Sequence, residues 1–335
     1  MLSSTGRFLS LSALVAATLC THAQQPAAAP GDILGVGNFS HIVSNLDTSL
    51  AFYRDVLGLE VGLSAPFSPD PAIQKLGGTS TGQSRFTVLT IPGTPFGVEL
   101  IEYKDIDRRP QHPTFVDPGA ANVALRVRDL DSLFAKIEKF PGVKILTAGG
   151  KPVDVVTPNG TLHALFLLDP DGFVVELIEV PTPPAGAPPG NVVAASFEAT
   201  VADSEKSVKF YNDLLGFNLT LGASFNDNQQ MAATAGAAGA SFRQSSAAIP
   251  GTSVQMTLIE FKNIDRKTLS GRTQDPGTAI LQLRVRDAAA LTAKLKAAGV
   301  AVVTTGGVPV EVGPGLKISL VRDPNNMLLE LIQAP

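Results

Sequence analysis

Cysteine is nearly missing: Cys20 is the sole one in 335 residues, and it falls in an N-terminal stretch expected to be removed. Without it a mature chain has no disulfide, no thiolate ligand and no thiol nucleophile, so burial of apolar surface must hold the fold. Histidine is scarce too, with four in all. Excess charge of one sign is absent: the net charge is −4 with the signs interspersed, and with no basic stripe nucleic acid is excluded as a partner class. No long membrane-spanning run exists either. The apolar stretch Phe8–Leu19 is broken only by Ser and Thr and falls short of the about 20 residues a spanning helix needs.

What is present is a globular composition, 44% hydrophobic and 17% charged. That is enough to bury a sizeable core, and the length suits two domains. Arg7 before the Phe8–Leu19 run, with Thr21-His22-Ala23 behind it, has the order of a secretory signal peptide. Residues 1–23 are therefore expected to be a signal peptide and 24–32 a tether, with the protein secreted or periplasmic.

An internal duplication organises the rest. Ser49-Leu50-Ala51-Phe52-Tyr53-Arg54-Asp55-Val56-Leu57-Gly58 returns as Ser207-Val208-Lys209-Phe210-Tyr211-Asn212-Asp213-Leu214-Leu215-Gly216. Leu100-Ile101-Glu102 returns as Leu258-Ile259-Glu260, and Leu125-Arg126-Val127-Arg128-Asp129 as Leu283-Arg284-Val285-Arg286-Asp287. All three pairs share the offset of 158 residues. The Pro/Gly/Ala-rich segment 181–190 separates the copies, since it suits neither a helix interior nor a central strand. The domains are then 33–180 and 191–335.

Each copy carries a fainter second repeat. Asn45-Leu46-Asp47 and Asp129-Leu130-Asp131 each follow a β-like run and open a helix. Leu50, Phe52, Tyr53, Val56 and Leu57 have helical spacing, Asp47 to Ser49 are capping candidates, and Gly58 stops the helix. Further runs at 85–91, 98–103, 143–147, 162–168 and 173–180 read as strands. Asp169-Pro170-Asp171-Gly172 turns between the last two. Each half therefore reads β-α-β-β-β, and the class is α+β.

These motifs resemble the vicinal oxygen chelate superfamily, of glyoxalase, bleomycin resistance protein and extradiol dioxygenase type. The residues that carry the resemblance are Asn45 to Leu59 and Asp169-Pro170-Asp171-Gly172-Phe173-Val174-Val175-Glu176-Leu177, with a weaker form of the latter at Arg322 to Leu331. The resemblance implies two tandem domains of paired βαβββ modules, each an open eight-stranded mixed barrel with a ligand in its cup. It also implies metal ligands on the first and fourth strands of the two halves, usually His, Glu or Gln, His and Glu.

Both histidine positions hold asparagine here, Asn38 and Asn122, while Glu99 and Glu176 keep the carboxylates. On this expectation Asn38, Glu99, Asn122 and Glu176 line one cup of the N-terminal domain. They either contact substrate directly or hold a divalent cation, and an all-oxygen set suits Mg, Mn or Ca better than Zn or Fe. A buried carboxylate needs a partner in either case. His41 lies three residues past Asn38, and strand alternation turns it toward the helix layer. Ser196, Thr257, Ile280 and Glu330 are the matching positions of the second copy, which is expected to support the first. Were the halves to pair across domains, Asn38 and Glu99 would meet Ile280 and Glu330.

Glu99 or Glu176 is the candidate base, and Tyr103 shares the cup face with Glu99. His163 reads as a core histidine unless it faces inward, where it would serve in acid–base catalysis. His112 reads as a surface residue, and 64–84 as a lid. The function expected is lyase or isomerase chemistry on a small oxygenated molecule. The alternative is non-catalytic binding of a small molecule, as in bleomycin resistance proteins. Ring cleavage fits least, since relatives that perform it rely on two histidines and a glutamate. A monomer or homodimer with a small-molecule ligand is expected.

Overall fold

The computed structural model describes residues 31–335 except 158, 159, 181, 184 and 185. The expected signal peptide and most of the tether lie outside the described residues. Among them no helix is long and apolar enough to cross a membrane.

The chain runs through four similar quarters. The first holds β1 (Ile33–Val43), α1 (Leu46–Leu50), β2 (Glu60–Ser68), α2 (Pro71–Leu76), β3 (Gln83–Thr90) and β4 (Gly97–Lys104), with α1 continuing as a π-helical turn over Ala51–Val56. The second holds β5 (Ala121–Val127), α3 (Leu130–Ile137), β6 (Lys144–Ile145), β7 (Val153–Thr157), β8 (Gly160–Leu168) and β9 (Val174–Glu179). The third holds β10 (Val192–Val201), α4 (Ser204–Leu215), α5 (Gln229–Thr234), β11 (Ser241–Ala248) and β12 (Gln255–Lys262). The fourth holds β13 (Ala279–Val285), α6 (Ala288–Ala297), β14 (Val310–Gly313), β15 (Leu316–Arg322) and β16 (Leu328–Gln333).

The first helix of each quarter starts on the same device. Asn45, Asp129, Asp203 and Asp287 sit in extended backbone, and each side chain accepts a hydrogen bond from a backbone N–H of the first turn. This satisfies donors the helix itself cannot. Asn45 is the first cap, so the Asp47 to Ser49 candidates are displaced. Gly58 and Gly216 adopt φ of 79° and 72° just past their helices, a left-handed conformation that only glycine adopts cheaply.

The quarters assemble across the duplication. One eight-stranded sheet has the order β14-β15-β16-β13-β1-β4-β3-β2, and the other β11-β12-β10-β5-β9-β8-β6, with β7 paired to β8. The first quarter therefore shares a sheet with the fourth through the antiparallel β1–β13 pair, and the second with the third through β5–β10. Each curled sheet is a mixed half-barrel whose concave side is a cup.

Apolar residues fill three places. The main core packs the convex faces of both sheets against helices and each other, where Phe39 and Phe197 meet at 5.3 Å between ring centres. A second cluster lies in the cup of the second and third quarters, and a third in the other cup. The signature residues serve this architecture. The Asp169 carboxylate caps its own turn through the N–H groups of Asp171 and Phe173 and accepts the Tyr53 hydroxyl at 2.9 Å. Asp323 repeats the arrangement with Asn325, Met327 and Tyr211. The Phe-Tyr and Asp-Pro motifs thus join one sheet to the other.

Candidate functional site

Strand register decides which side chains meet. Across the parallel pairs Ser40 lies opposite Glu99, Ala124 opposite Glu176, Glu198 opposite Thr257, and Gln282 opposite Glu330. These are the same inward position in the four quarters. The cup of quarters one and four therefore collects Ser40, Glu99, Gln282 and Glu330, and the cup of quarters two and three collects Glu176, Glu198, Asn122 and Thr257.

The expectation that Asn38, Glu99, Asn122 and Glu176 line one hollow is overturned. Asn38 and Glu99 stand in one sheet, Asn122 and Glu176 in the other, because quarters pair across the duplication. Asn38 serves the sheet itself, since its side-chain oxygen accepts the Gly97 N–H at 3.1 Å and its own N–H donates to Gln282 Oε1 at 2.8 Å. Nor does the N-terminal repeat alone hold a cavity, since both repeats contribute to each cup. His41 turns to the helix layer as strand alternation requires, despite a bulge between Val36 and Phe39. Its Nδ1 lies 3.1 Å from the Tyr53 hydroxyl, its ring stacks on Phe173, and burial depresses its pKa and keeps it neutral. His163 also faces outward, pairing with Asp154 at 2.7 Å and Asp131 at 3.3 Å. His112 is exposed.

The cup of quarters one and four is closed. Glu99 accepts hydrogen bonds from Ser40 Oγ and Gln282 Nε2, both at 2.7 Å, and Gln282 Nε2 also reaches Glu330 at 3.3 Å. Above this cluster α2 plugs the hollow with Leu76 and Ile73 against Ile318, Leu320 and Leu328. The segment 64–84, expected as a lid, is in fact the outer end of β2, this plugging helix and the start of β3. Tyr103 lies in the plug, its pKa raised by burial and by the Glu330 and Glu99 charges. Burial and the nearby Glu99 raise Glu330 to about 8. Burial raises Glu99 as well, against the two hydrogen bonds it accepts.

The other cup is open. It holds a half-open pocket whose empty space, counted out into open solvent, is about 540 Å³, walled by Phe115, Phe166, Phe242, Phe261, Met231 and Ile178. The duplication explains the difference. Leu76 and Ile318 of the plugged cup correspond to Thr234 and Ala164 here, and both smaller residues line the cavity. Glu176 and Glu198 form its floor and are only 7% and 8% exposed.

These two carboxyls form a differentiated pair. Burial, the Glu198 charge and a hydrogen bond donated to Glu198 hold the Glu176 pKa well above the ordinary carboxylate range. Burial also raises Glu198, but Asn122 Nδ2 donates to it at 3.1 Å, and Arg126 and the Glu176 hydrogen bond oppose the shift. Glu176 thus holds a proton more strongly than Glu198. Glu176 Oε2, Asn122 Oδ1 and Arg126 Nη1 are buried with no hydrogen-bond partner among the described residues. Such atoms are costly to leave bare and suit a site that a ligand completes.

Neither cup presents the donors of a divalent-cation site. In the closed cup the Gln282 NH₂ group, a donor, stands between the two carboxylates. In the open cup Asn122 turns its NH₂ group to Glu198, and Arg126 already supplies positive charge. Among the described residues no group of three His, Cys, Asp or Glu side chains gathers to hold a metal.

Glu198 and Gln282 are the residues that sequence reasoning missed. The signal was available: Glu198 is the lone charge in the strand Val-Val-Ala-Ala-Ser-Phe-Glu-Ala-Thr-Val, on the same face as Ser196. The inward position is Glu198, two residues past the Ser196 that the repeat suggested.

Comparison with known proteins places the chain. Residues 35–177 and 194–331 each match the family described as Glyoxalase/Bleomycin resistance protein/Dioxygenase superfamily. A 2-epi-5-epi-valiolone epimerase of an Actinomyces species is 30% identical over 162 residues, 48% of this chain and 84% of the relative. Glyoxalase I from Zea mays superposes with a TM-score of 0.57 at 20% identity, covering 91% of this chain and 92% of that one. A putative dioxygenase from Bacillus subtilis gives 0.58 at 14% identity, over 91% and 87%. The two structural likenesses speak to the fold alone, but the sequence match spans both repeats: the chain belongs to the Glyoxalase/Bleomycin resistance protein/Dioxygenase superfamily.

Proposed function

We propose that the protein is an enzyme of this superfamily that moves a proton on a small oxygenated molecule, an isomerase- or lyase-type reaction, in the open cup of quarters two and three. The observation that carries the reading is the buried Glu176–Glu198 pair at the floor of an apolar cavity, its two carboxyls set apart by their surroundings so that Glu176 holds a proton more strongly than Glu198. Two carboxyls whose surroundings separate their proton affinities are the parts of acid–base catalysis. The similarity to an epimerase supports a proton-transfer class.

Chemistry follows from the positions. Glu198 takes the proton from a carbon next to a carbonyl, and the electrons of the broken C–H bond pass into the carbonyl to give an enolate. Glu176 delivers its proton to the developing oxygen anion. Glu198 then returns a proton to carbon while Glu176 takes its own back from the enol oxygen; in a lyase-type turnover a β-hydroxyl departs as water with the Glu198 proton while Glu176 recovers the enol proton. The apolar walls exclude water, which strengthens both interactions. On this reading the two carboxyls and Arg126 supply the charge that the reaction needs, so chelation with EDTA leaves the rate unchanged; a rate abolished by the chelator and restored by a divalent ion would sink this part of the reading.

The test is hydrogen–deuterium exchange at the α-carbon of 2-hydroxyketones, hydroxyacetone and 2-hydroxyacetophenone among them, followed by NMR in D₂O. Glu198→Gln is expected to slow the exchange by about 10²–10⁴-fold while the protein stays folded. Exchange at the wild-type rate in this variant overturns the assignment. A second reading, binding without turnover, draws on the largely apolar walls; it requires ligand binding that survives Glu198→Gln and no exchange in either protein. We also propose an extracytoplasmic location, on the strength of Arg7 and the Phe8–Leu19 run, checked by N-terminal sequencing of the exported protein.

A further inference from the structure

The walls and floor of the open cup differ sharply, and together they define what fits. Four phenylalanines, Phe115, Phe166, Phe242 and Phe261, enclose the space with Met231 and Ile178. Phe115 packs against both Phe166 and Phe261, with ring centres 5.3 and 5.5 Å apart, so three of the four rings form one continuous wall. An apolar body gains by burying its surface against such walls. A polyhydroxylated or fully hydrated body would leave its hydroxyls without partners on the walls.

Charge on the floor is already balanced. Glu176 holds a proton more strongly than Glu198, and the Arg126 positive charge acts on both. An added carboxylate or phosphate would bring further negative charge beside the two carboxyls, in an apolar enclosure whose neighbouring cation, Arg126, already acts on both of them. The floor leaves atoms of both kinds bare: Glu176 Oε2 and Asn122 Oδ1 are acceptors that a ligand hydroxyl can satisfy, and Arg126 Nη1 is a donor that a ligand carbonyl can satisfy.

Resting on the reading of this cup as the working site, we infer that its ligands are uncharged molecules with an apolar, ring-sized body and a hydroxyl and carbonyl at one end, the polar end meeting Glu176 and Glu198. Small aliphatic hydroxyketones lack the body, and anionic analogues carry the wrong charge. The plugged cup supplies a natural control, because copying its residues should abolish the space without touching the carboxyls. Ala164→Ile reproduces Ile318, and Thr234→Leu reproduces Leu76.

Three probes test the inference by isothermal titration: neutral 2-hydroxyacetophenone, anionic mandelate, and hydroxyacetone, which has no ring. 2-Hydroxyacetophenone is expected to bind about tenfold or more tightly than either of the others. Ala164→Ile should weaken that binding by a similar factor, with thermal unfolding at or above the wild-type temperature, and Thr234→Leu stands in should the first variant fail to fold. Equal binding of mandelate or hydroxyacetone overturns the inference, as does unchanged binding in the folded filled-cavity variant. The two readings fail separately. Selective binding of 2-hydroxyacetophenone without deuterium exchange removes the reaction and keeps the ligand class, whereas equally fast exchange on hydroxyacetone keeps the reaction and removes the class.

Discussion

A carboxylate that is to take a proton from carbon must hold its charge inside an apolar wall, and Glu198 does so with help from Asn122, Glu176 and Arg126. Arg126 is the sole full charge among these helpers, and it lowers both carboxyls against their burial. Its removal has a determinate sign. In Arg126→Met the Glu198 pKa rises further, so the ionised base appears only at higher pH and the acid limb of the pH–rate profile moves up. Exchange rates measured against pH check this, and an unmoved limb would show that Arg126 does not act on the pair. Glu198 was legible in principle, because a lone charge in an apolar strand signals an inward polar group. Its pairing with Glu176 was not, since the two lie on strands from different copies of the repeat.

Each helix-capping aspartate works within a few residues of sequence, which is why this part of the structure follows directly from the chain. Asp203 accepts the Lys206 N–H at the start of α4. Asp203→Ala is expected to cost about 1 kcal/mol, while Asp203→Asn, which keeps the accepting oxygen, costs much less. Chemical denaturation separates the variants, and equal losses would mean that the cap contributes nothing through its hydrogen bond. The β-α-β-β-β order of the quarters was legible for the same local reason. Two elements departed from expectation: the first helix is capped by Asn45 rather than by Asp47 to Ser49 and finishes as a π-helical turn, and the supposed lid is a strand end, a packed helix and the start of the next strand. Glycine and proline in 64–84 suggested irregular chain, but Pro71 falls in the first turn of α2 behind the Asp70 cap, where proline is welcome.

At the scale of the molecule, the seam between first and fourth quarters is also a titratable joint. Glu99 of β4 and Glu330 of β16 face each other across Gln282, with Glu330 raised to about 8. The sign follows from proton counts. The folded protein binds a proton at Glu330 that the unfolded chain has released above its ordinary pKa near 4.5, so stability is highest below that value and declines as pH rises toward about 8. Asp169, raised to about 7 chiefly by burial, adds to the decline. Thermal unfolding should therefore occur at lower temperature at pH 8 than at pH 5.5, and Glu330→Gln should flatten the dependence. A variant as pH-sensitive as the wild type would place the effect elsewhere.

What the sequence determined by itself was everything with a short reach. Two-residue alternation turned Glu99 and Glu176 inward and His41 outward, helix periods and caps placed the first helix of each quarter, and a single offset revealed the duplication. The tertiary structure alone decided the company those residues keep. A strand's side chain has neighbours on adjacent strands, and here the adjacent strands come from the other repeat, through β1–β13 and β5–β10. Quarter pairing is a property of the whole molecule rather than of any local motif, and it assigned Glu198 to Glu176 and Glu330 to Glu99, while the smaller Thr234 and Ala164 left one cup open.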